Sequence, residues 1–345
     1  MEALAESIRE AAERRRPLRL RGGGTKDFYG NEPRGEVLDT RSHAGIVSYE
    51  PTELVITARC GTALSEVEKV LAENLQCLPF EPPHFGAGAT FGGCIAAGLS
   101  GPRRASAGAL RDFVLGVRIV DGRGRALAFG GQVMKNVAGY DVSRLIAGSL
   151  GTLGLITEAS LKVLPRPAAE LTLRLEMPQE RALKAMQRWA GQPLPLSATS
   201  WHDGELLVRL SGAEPAVRTA AARVGGEPLE AAPWLAIREH THPFFAASPL
   251  WRVAVPPVAP PFALPGEQLL EWGGALRWLA GAGPADAVRE AAQRAGGHAT
   301  LFRARDKGGG AFAPLGAAAM RLHRGLKAAF DPSGILNPGR MYAEL

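Results

Sequence analysis

Apolar positions along this chain recur with two periods, and the changes of period predict its elements. Over residues 2–15, Leu4, Ile8, Ala11 and Ala12 fall on one helical stripe among acids and arginines. Pro17 stops that helix, and Leu18-Arg19-Leu20-Arg21 alternates as a short strand running into Gly22-Gly23-Gly24-Thr25-Lys26. Further strands are expected at 37–40, 46–49 and 54–59. A helix is expected over 62–73, with Leu64, Val67, Val70 and Leu71 inward and Thr62 as its N-cap, then a strand at 77–80. Together these make a small α/β lobe.

The next stretch, 86–158, crowds glycines between apolar and β-branched runs. Only glycine lets backbone press that closely against a neighbour, so this region is read as the wall of a buried, extended ligand. Apolar residues continue through Leu161, Val163 and Leu164 to Pro165-Arg166-Pro167, where the main domain boundary is placed. Beyond it come an alternating strand at 171–177, a helix at 179–190 and a hairpin of 197–202 with 205–210 across Asp203-Gly204. A helix at 214–224 follows. The order then recurs, with strands at 251–255, 274–279 and 298–303, a helix at 285–295, and 268–272 either helical or extended. Two tandem β-α-β units suggest an antiparallel sheet with helices on one face, a ferredoxin-like α+β domain. The proline-rich 256–265 is a linker or rigid surface loop, and a last helix is expected at 314–329.

The glycine spacing excludes the common nucleotide sites. A G-x-G-x-x-G fingerprint fails at its third glycine, where Phe91, Leu127 or Asp27 stands, and no lysine follows a glycine as a Walker loop requires. The strand opening into Gly22-Gly23-Gly24-Thr25 offers several backbone N–H groups and a hydroxyl to one anion; the plain alternative is a flexible turn.

Composition narrows the class. In 345 residues, 46% hydrophobic and 21% charged, two domains and a substantial core fit. A net charge of +6, with arginines scattered among acids, gives no nucleic-acid groove. Cys60, Cys77 and Cys94 leave one over after any pairing and show no C-x-x-C spacing, which argues for a reducing, cytoplasmic setting and against a structural zinc or a self-contained iron–sulfur site. No apolar run reaches spanning length.

Four blocks carry a resemblance: Arg21-Gly22-Gly23-Gly24-Thr25; Ala89-Thr90-Phe91-Gly92-Gly93; Lys135-Asn136-Val137-Ala138-Gly139-Tyr140 followed by Gly151-Thr152-Leu153-Gly154-Leu155-Ile156-Thr157-Glu158; and Asp331-Pro332-Ser333-Gly334-Ile335-Leu336-Asn337-Pro338-Gly339-Arg340. In this order they resemble the flavoprotein superfamily of vanillyl-alcohol oxidase and p-cresol methylhydroxylase, and within it the small FAD-binding (E) subunits of bacterial glycolate oxidase. The match covers the first half and the last thirty or so residues; the middle matches only in pattern.

The resemblance implies an α+β fold: a two-lobed p-cresol methylhydroxylase-type FAD-binding domain at 1–167, a ferredoxin-like cap at 168–310, and a helix and tail at 311–345 packing back on the first domain. It implies Gly22, Gly23, Gly24 and Thr25 at the pyrophosphate. Thr90, Gly92, Gly93, Gly98 and Ser100 would lie along pyrophosphate, ribityl chain and flavin, and Gly151, Thr152, Gly154 and Ile156 on the adenosine side. Lys135, Asn136, Tyr140 and Asp141 fall where relatives place a loop beside the flavin. Arg340 reaches either a cofactor phosphate or the substrate side, or is a plain salt bridge or exposed cation. The FAD is expected to be non-covalent, because the phosphate loop holds no His or Cys and Cys94 reads as a small core residue.

A larger FAD-binding subunit and an iron–sulfur subunit are the implied partners, with a small 2-hydroxy acid as substrate and any membrane association gained through the complex. The alternatives are a stand-alone FAD oxidase or dehydrogenase of another alcohol or hydroxy acid, and a flavin-bearing assembly subunit without catalysis. The catalytic residues stay unassigned, since the histidine-rich metal strand of larger relatives has no counterpart in the sequence. His240 and His242 beside Glu239 read as a solvated or hydrogen-bonded pair rather than a metal site.

Overall fold

The computed structural model describes residues 1–131, 141–230 and 233–345. The chain begins with α1 (Glu2–Glu13), whose Leu4, Ala5, Ile8 and Ala11 are buried as the apolar stripe requires. Then come β1 (Leu18–Arg21) and β2 (Glu36–Asp39), a parallel pair. The segment continues with β3 (Ile46–Glu50), β4 (Val55–Arg59), α2 (Leu64–Glu73), β5 (Gln76–Cys77), α3 (Phe91–Ala97), α4 (Arg104–Ala107), β6 (Val114–Val120), β7 (Ala126–Gly130), α5 (Val142–Ile146), β8 (Leu155–Lys162) and β9 (Leu164–Pro165).

Five of these strands form an antiparallel sheet in the order β3-β4-β8-β6-β7. On it pack α2 and α3, through Leu64, Val67, Leu71, Phe91, Cys94 and Ile95 against Ile56, Val117, Ile119 and Leu161. A smaller cluster holds α1 to the β1 edge and to Ile335 and Leu336 of the tail.

Two expectations for this half need correction. The strand expected at 77–80 ends at Cys77. Thr62 does not cap α2; its hydroxyl is held by the backbone N–H and carbonyl of Gly45, and Ala63 stands at the N-cap.

The second part runs β10 (Ala169–Glu176), α6 (Gln179–Ala190), β11 (Leu196–His202), β12 (Glu205–Gly212), α7 (Glu214–Val224), β13 (Glu227–Pro228), α8 (Trp234–Glu239), β14 (Leu250–Ala254), β15 (Glu267–Glu271), β16 (Leu276–Ala280), α9 (Ala285–Arg294) and β17 (His298–Arg303). All its strands join one eight-stranded sheet, β13-β10-β12-β11-β15-β16-β14-β17.

The first four strands, with α6 and α7, have the βαββαβ order and neighbours of a ferredoxin-like unit. The last four repeat that order, except that the proline-rich loop at 256–265 stands where the first helix would be. Arg277, fully buried, ties that loop down by donating to the carbonyls of Ala259 and Pro260. The segment left open between helix and strand, 268–272, is β15 followed by a tight turn at 272–274.

Alternation sorts the sheet's faces. Val208, Leu210 and Leu270 meet α6 and α7, and Trp251, Val253 and Leu279 meet α9. The opposite face, with Leu207, Leu250, Leu269, Trp278 and Phe302, packs on Tyr29, Ala97, Leu99 and Leu150 of the first part. A buried ion cluster reinforces that contact, Arg209 donating to Glu81 at 2.9 Å. Finally α10 (Ala317–Phe330) carries the chain back, so that Leu18 bridges Leu336 beside β1.

Candidate functional site

Where β1 ends, the chain turns through 22–25 and then bonds to itself at Asp27 and Tyr29. The backbone N–H groups of Gly22, Gly23, Gly24 and Thr25 find no acceptor among the described residues. A run of unpaired N–H groups in one turn is an anion-binding concavity.

Around it stand Arg19, Arg21, Lys26 and Arg340, against the single carboxylate Asp27. Arg19 and Arg21 both donate to Asp27. Lys26 donates to His84 O at 3.2 Å, and burial holds its pKa below the ordinary lysine value. Arg340 is pushed down to about 10, chiefly by burial. It donates to the carbonyls of Lys26, Asp27 and Asn31, and so fixes the loop from behind while adding positive charge.

These residues line a cleft whose far wall is Thr90, Gly93, Ala96, Leu150 and Asn337. A second cleft shares Gly22, Gly93, Ala96, Leu150 and Asn337 with it, and is lined further on by Gly92, Gly151, Gly154, Leu155 and Ile156. The two make one groove, cationic and rich in N–H groups at one end and apolar at the other. A dinucleotide with a central pyrophosphate fits that layout.

The predicted site residues separate on this geometry. Gly22, Gly23, Gly24, Thr25, Thr90, Gly92, Gly93, Gly151, Gly154, Ile156 and Arg340 line the groove. Gly98 sits behind it as the left-handed C-cap of α3, so close to Gly148 that an added Cβ would lie 2.8 Å from its Cα. Thr152 turns its hydroxyl to Ser149 O, and its carbonyl accepts from Lys327. Ser100 accepts from Leu110 N and opens on a different cleft. Lys135 and Tyr140, with Asn136, lie outside the described residues; Asp141 caps α5 by accepting from Arg144 N.

Several groove residues escaped the sequence reading. Lys26 directly follows the glycine loop, and its burial was not foreseeable from neighbours in sequence. Asn337 holds the tail in place, accepting from Leu20 N at 2.8 Å and donating to Leu150 O at 2.6 Å. The Asn-Pro-Gly turn of the tail is the sequence feature that marks it.

Cys94 is buried, with its thiol pushed up to about 12 by desolvation, and Cys60 to about 11. Neither is a thiolate nucleophile. His240 stacks on Phe245 at 4.0 Å, and His242 accepts from Phe244 N. Among the described residues no cluster of His, Cys, Asp or Glu could hold a metal ion, and no helix is long and apolar enough to cross a membrane.

Residues 1–130 match the FAD binding domain family, and residues 312–341 match the C-terminal domain of FAD linked oxidases. The chain is 50% identical over 345 residues to the glycolate oxidase subunit GlcE of Escherichia coli (strain K12), covering 100% of this chain and 98% of that one. It is 34% identical over 164 residues to the glycolate oxidase subunit GlcD of Bacillus subtilis (strain 168), 47% of this chain and 35% of the relative. To a D-lactate dehydrogenase of Archaeoglobus fulgidus it is 32% identical over 200 residues, 57% and 44% of the two chains.

In fold it is similar to an alkyldihydroxyacetonephosphate synthase, with a TM-score of 0.69 at 16% identity, over 98% of this chain and 74% of the other. The α+β fold, with its FAD-binding part and ferredoxin-like cap, is therefore that of the p-cresol methylhydroxylase-type flavoproteins, and FAD is the cofactor. The chain belongs to the family of the glycolate oxidase subunit GlcE, within the FAD-linked oxidases.

Proposed function

We propose that this chain is the flavin-carrying subunit of a multi-subunit glycolate oxidase, taking part in the oxidation of glycolate, or D-lactate, to the 2-oxo acid. The observation that carries the reading is the full-length likeness to a glycolate oxidase subunit. The groove under the 22–25 loop supports it. The partners are a larger FAD-binding subunit and an iron–sulfur subunit, and any membrane association is through them. Residues 1–167 form the FAD-binding domain, 168–310 the cap, and 311–345 the returning tail.

FAD supplies the two-electron acceptor. The chain's own residues hold it without a covalent bond. The N–H groups of 22–25 would hold the pyrophosphate through charge-assisted bonds worth about 1.5–3 kcal/mol each. Arg19, Arg21 and Lys26 would offset its charge, with Thr90 and Gly93 as the opposite wall, and Gly151, Gly154 and Ile156 would line the adenosine end. Gly98 packs behind that wall as the left-handed C-cap of α3.

Anaerobic glycolate, added to the co-purified complex, is expected to bleach the visible flavin absorbance assigned to this chain. That assignment is made by comparison with a complex carrying a flavin-free variant. Glycolate bleaching of the isolated chain at the same rate would replace the subunit reading with a stand-alone enzyme. Full activity of the complex with a flavin-free variant would make the chain an assembly subunit.

A further inference from the structure

Two walls of the cofactor groove belong to different sheets. One is β1 with the 22–25 loop, from the two-stranded sheet; the other is the turn at 148–154, which leads into β8 of the five-stranded sheet. No hydrogen bond among the described residues joins these walls directly. The tail joins them, through one side chain. Asn337, only 6% exposed, accepts from Leu20 N at 2.8 Å and donates to Leu150 O at 2.6 Å. It lines both halves of the groove.

The residue type follows from that position. With φ at +42° the backbone is left-handed, a conformation that asparagine tolerates better than most side chains. A carboxylate there could accept from Leu20 N but could not donate to Leu150 O. Gly151 is fitted to the same amide. Its φ is +73°, and an added Cβ would lie 2.7 Å from Asn337 Nδ2.

The rest of the tail grips the same walls. Asn337 N donates to Leu18 O at 2.9 Å, and Lys327 Nζ donates to Thr152 O and Leu336 O. Arg340 donates to the carbonyls of Lys26 and Asp27, just beyond the 22–25 loop. Undocking this segment releases β1, the turn at 150–152 and the start of the next loop together.

We propose that Asn337 is a positioning residue that sets the separation of the groove walls, so that docking of the tail and binding of FAD are one coupled event. This rests on the reading of the groove as the FAD site. Asn337 takes no part in the redox step; it acts through Leu20 and Leu150. A cofactor that binds only the tail-docked chain loses apparent affinity in proportion to the docked fraction. By reciprocity FAD holds the tail down, and at about 100 times Kd it makes tail opening about a hundredfold rarer.

Fluorescence titration of the flavin-free full-length chain with FAD, and hydrogen exchange with and without FAD, test this. Asn337→Gly keeps the left-handed backbone and removes both side-chain bonds. It is expected to stay folded by circular dichroism and to bind FAD about 10–100-fold more weakly. Gly151→Ala, from the opposite wall, should weaken FAD as well, and should add less in an Asn337→Gly chain, where no amide is left to displace. In the wild type, which needs no variant to fold, exchange of the tail amides at 335–341 should slow about a hundredfold at about 100 times Kd, and by more than that of α9 in the cap. FAD bound within about twofold of wild type by folded Asn337→Gly, additive losses from the two substitutions, or tail exchange slowed no more than that of α9 overturns the inference and leaves the FAD reading standing. A wild-type chain that binds no FAD overturns both.

Discussion

Gly93→Glu is expected to yield a colourless chain whose affinity for FAD has dropped by more than about a hundredfold, with the fold retained. An added Cβ at this position meets only Thr90 Oγ1, at 2.9 Å, so Thr90 must shift and weaken its cap on α3, at a cost of about 1 kcal/mol. The new side chain therefore runs into the groove, where its carboxylate faces the same N–H groups and cations as the pyrophosphate. An opposed buried charge costs several kcal/mol, and about 3 kcal/mol already gives a hundredfold. Gly93→Ala, which adds only the Cβ, should keep most of the flavin.

Gly23→Glu should also lose the flavin, by a different route. Its Cβ would lie 1.5 Å from Gly88 O, so the 86–90 wall has to move and stability falls as well. Visible spectra and circular dichroism on the three variants distinguish these outcomes. Stoichiometric flavin in Gly93→Glu would show that the pyrophosphate lies elsewhere.

Lys327→Met is expected to lower the free energy of unfolding by about 3–5 kcal/mol, the cost of breaking a buried ion pair from one side. Lys327 Nζ lies 2.8 Å from Asp331 and donates to Thr152 O and Leu336 O, and both charged side chains are almost wholly inaccessible. Asp331 also accepts from Ile335 N and Leu336 N, which hold it in place when the lysine is gone and leave its charge uncompensated. Adding Asp331→Asn to Lys327→Met should recover at least about 1 kcal/mol as the coupling between the two positions. Denaturant titration reads both. A single-variant loss under about 1 kcal/mol would mean that the tail is anchored by Ile335, Leu336 and Asn337 instead.

Much of the fold was legible because local pattern and local punctuation agree. The helices at 179–190 and 214–224 have one apolar stripe each and end at Gly191 and Gly225, and they occur over those residues. The seven-residue α3 was hidden, because Gly92 and Gly93 in its first turn read as loop, yet Thr90 caps it by accepting from Gly93 N. Segment 268–272 was ambiguous because Leu269 and Leu270 are both buried, one on each face of the sheet, so alternation gave no signal.

The glycines carried a mixed message. Gly92 is demanded by Cys60, whose Cβ an added Cβ would approach to 2.5 Å, and Gly98 by Gly148; these are chain-on-chain contacts. Gly93 faces the groove with space beside it. Sequence shows that backbone comes close at such positions, and only the fold shows to what.

One non-covalent FAD is expected in the groove beneath 22–25. Acid precipitation of the purified wild-type chain, after loading with FAD and removal of the excess, tests it most directly. One FAD per chain should appear in the supernatant over a white pellet, since Cys94 and Cys60 are buried thiols far from forming thiolates. A yellow pellet would contradict the non-covalent mode, and a loaded chain that retains no flavin would contradict the claim itself.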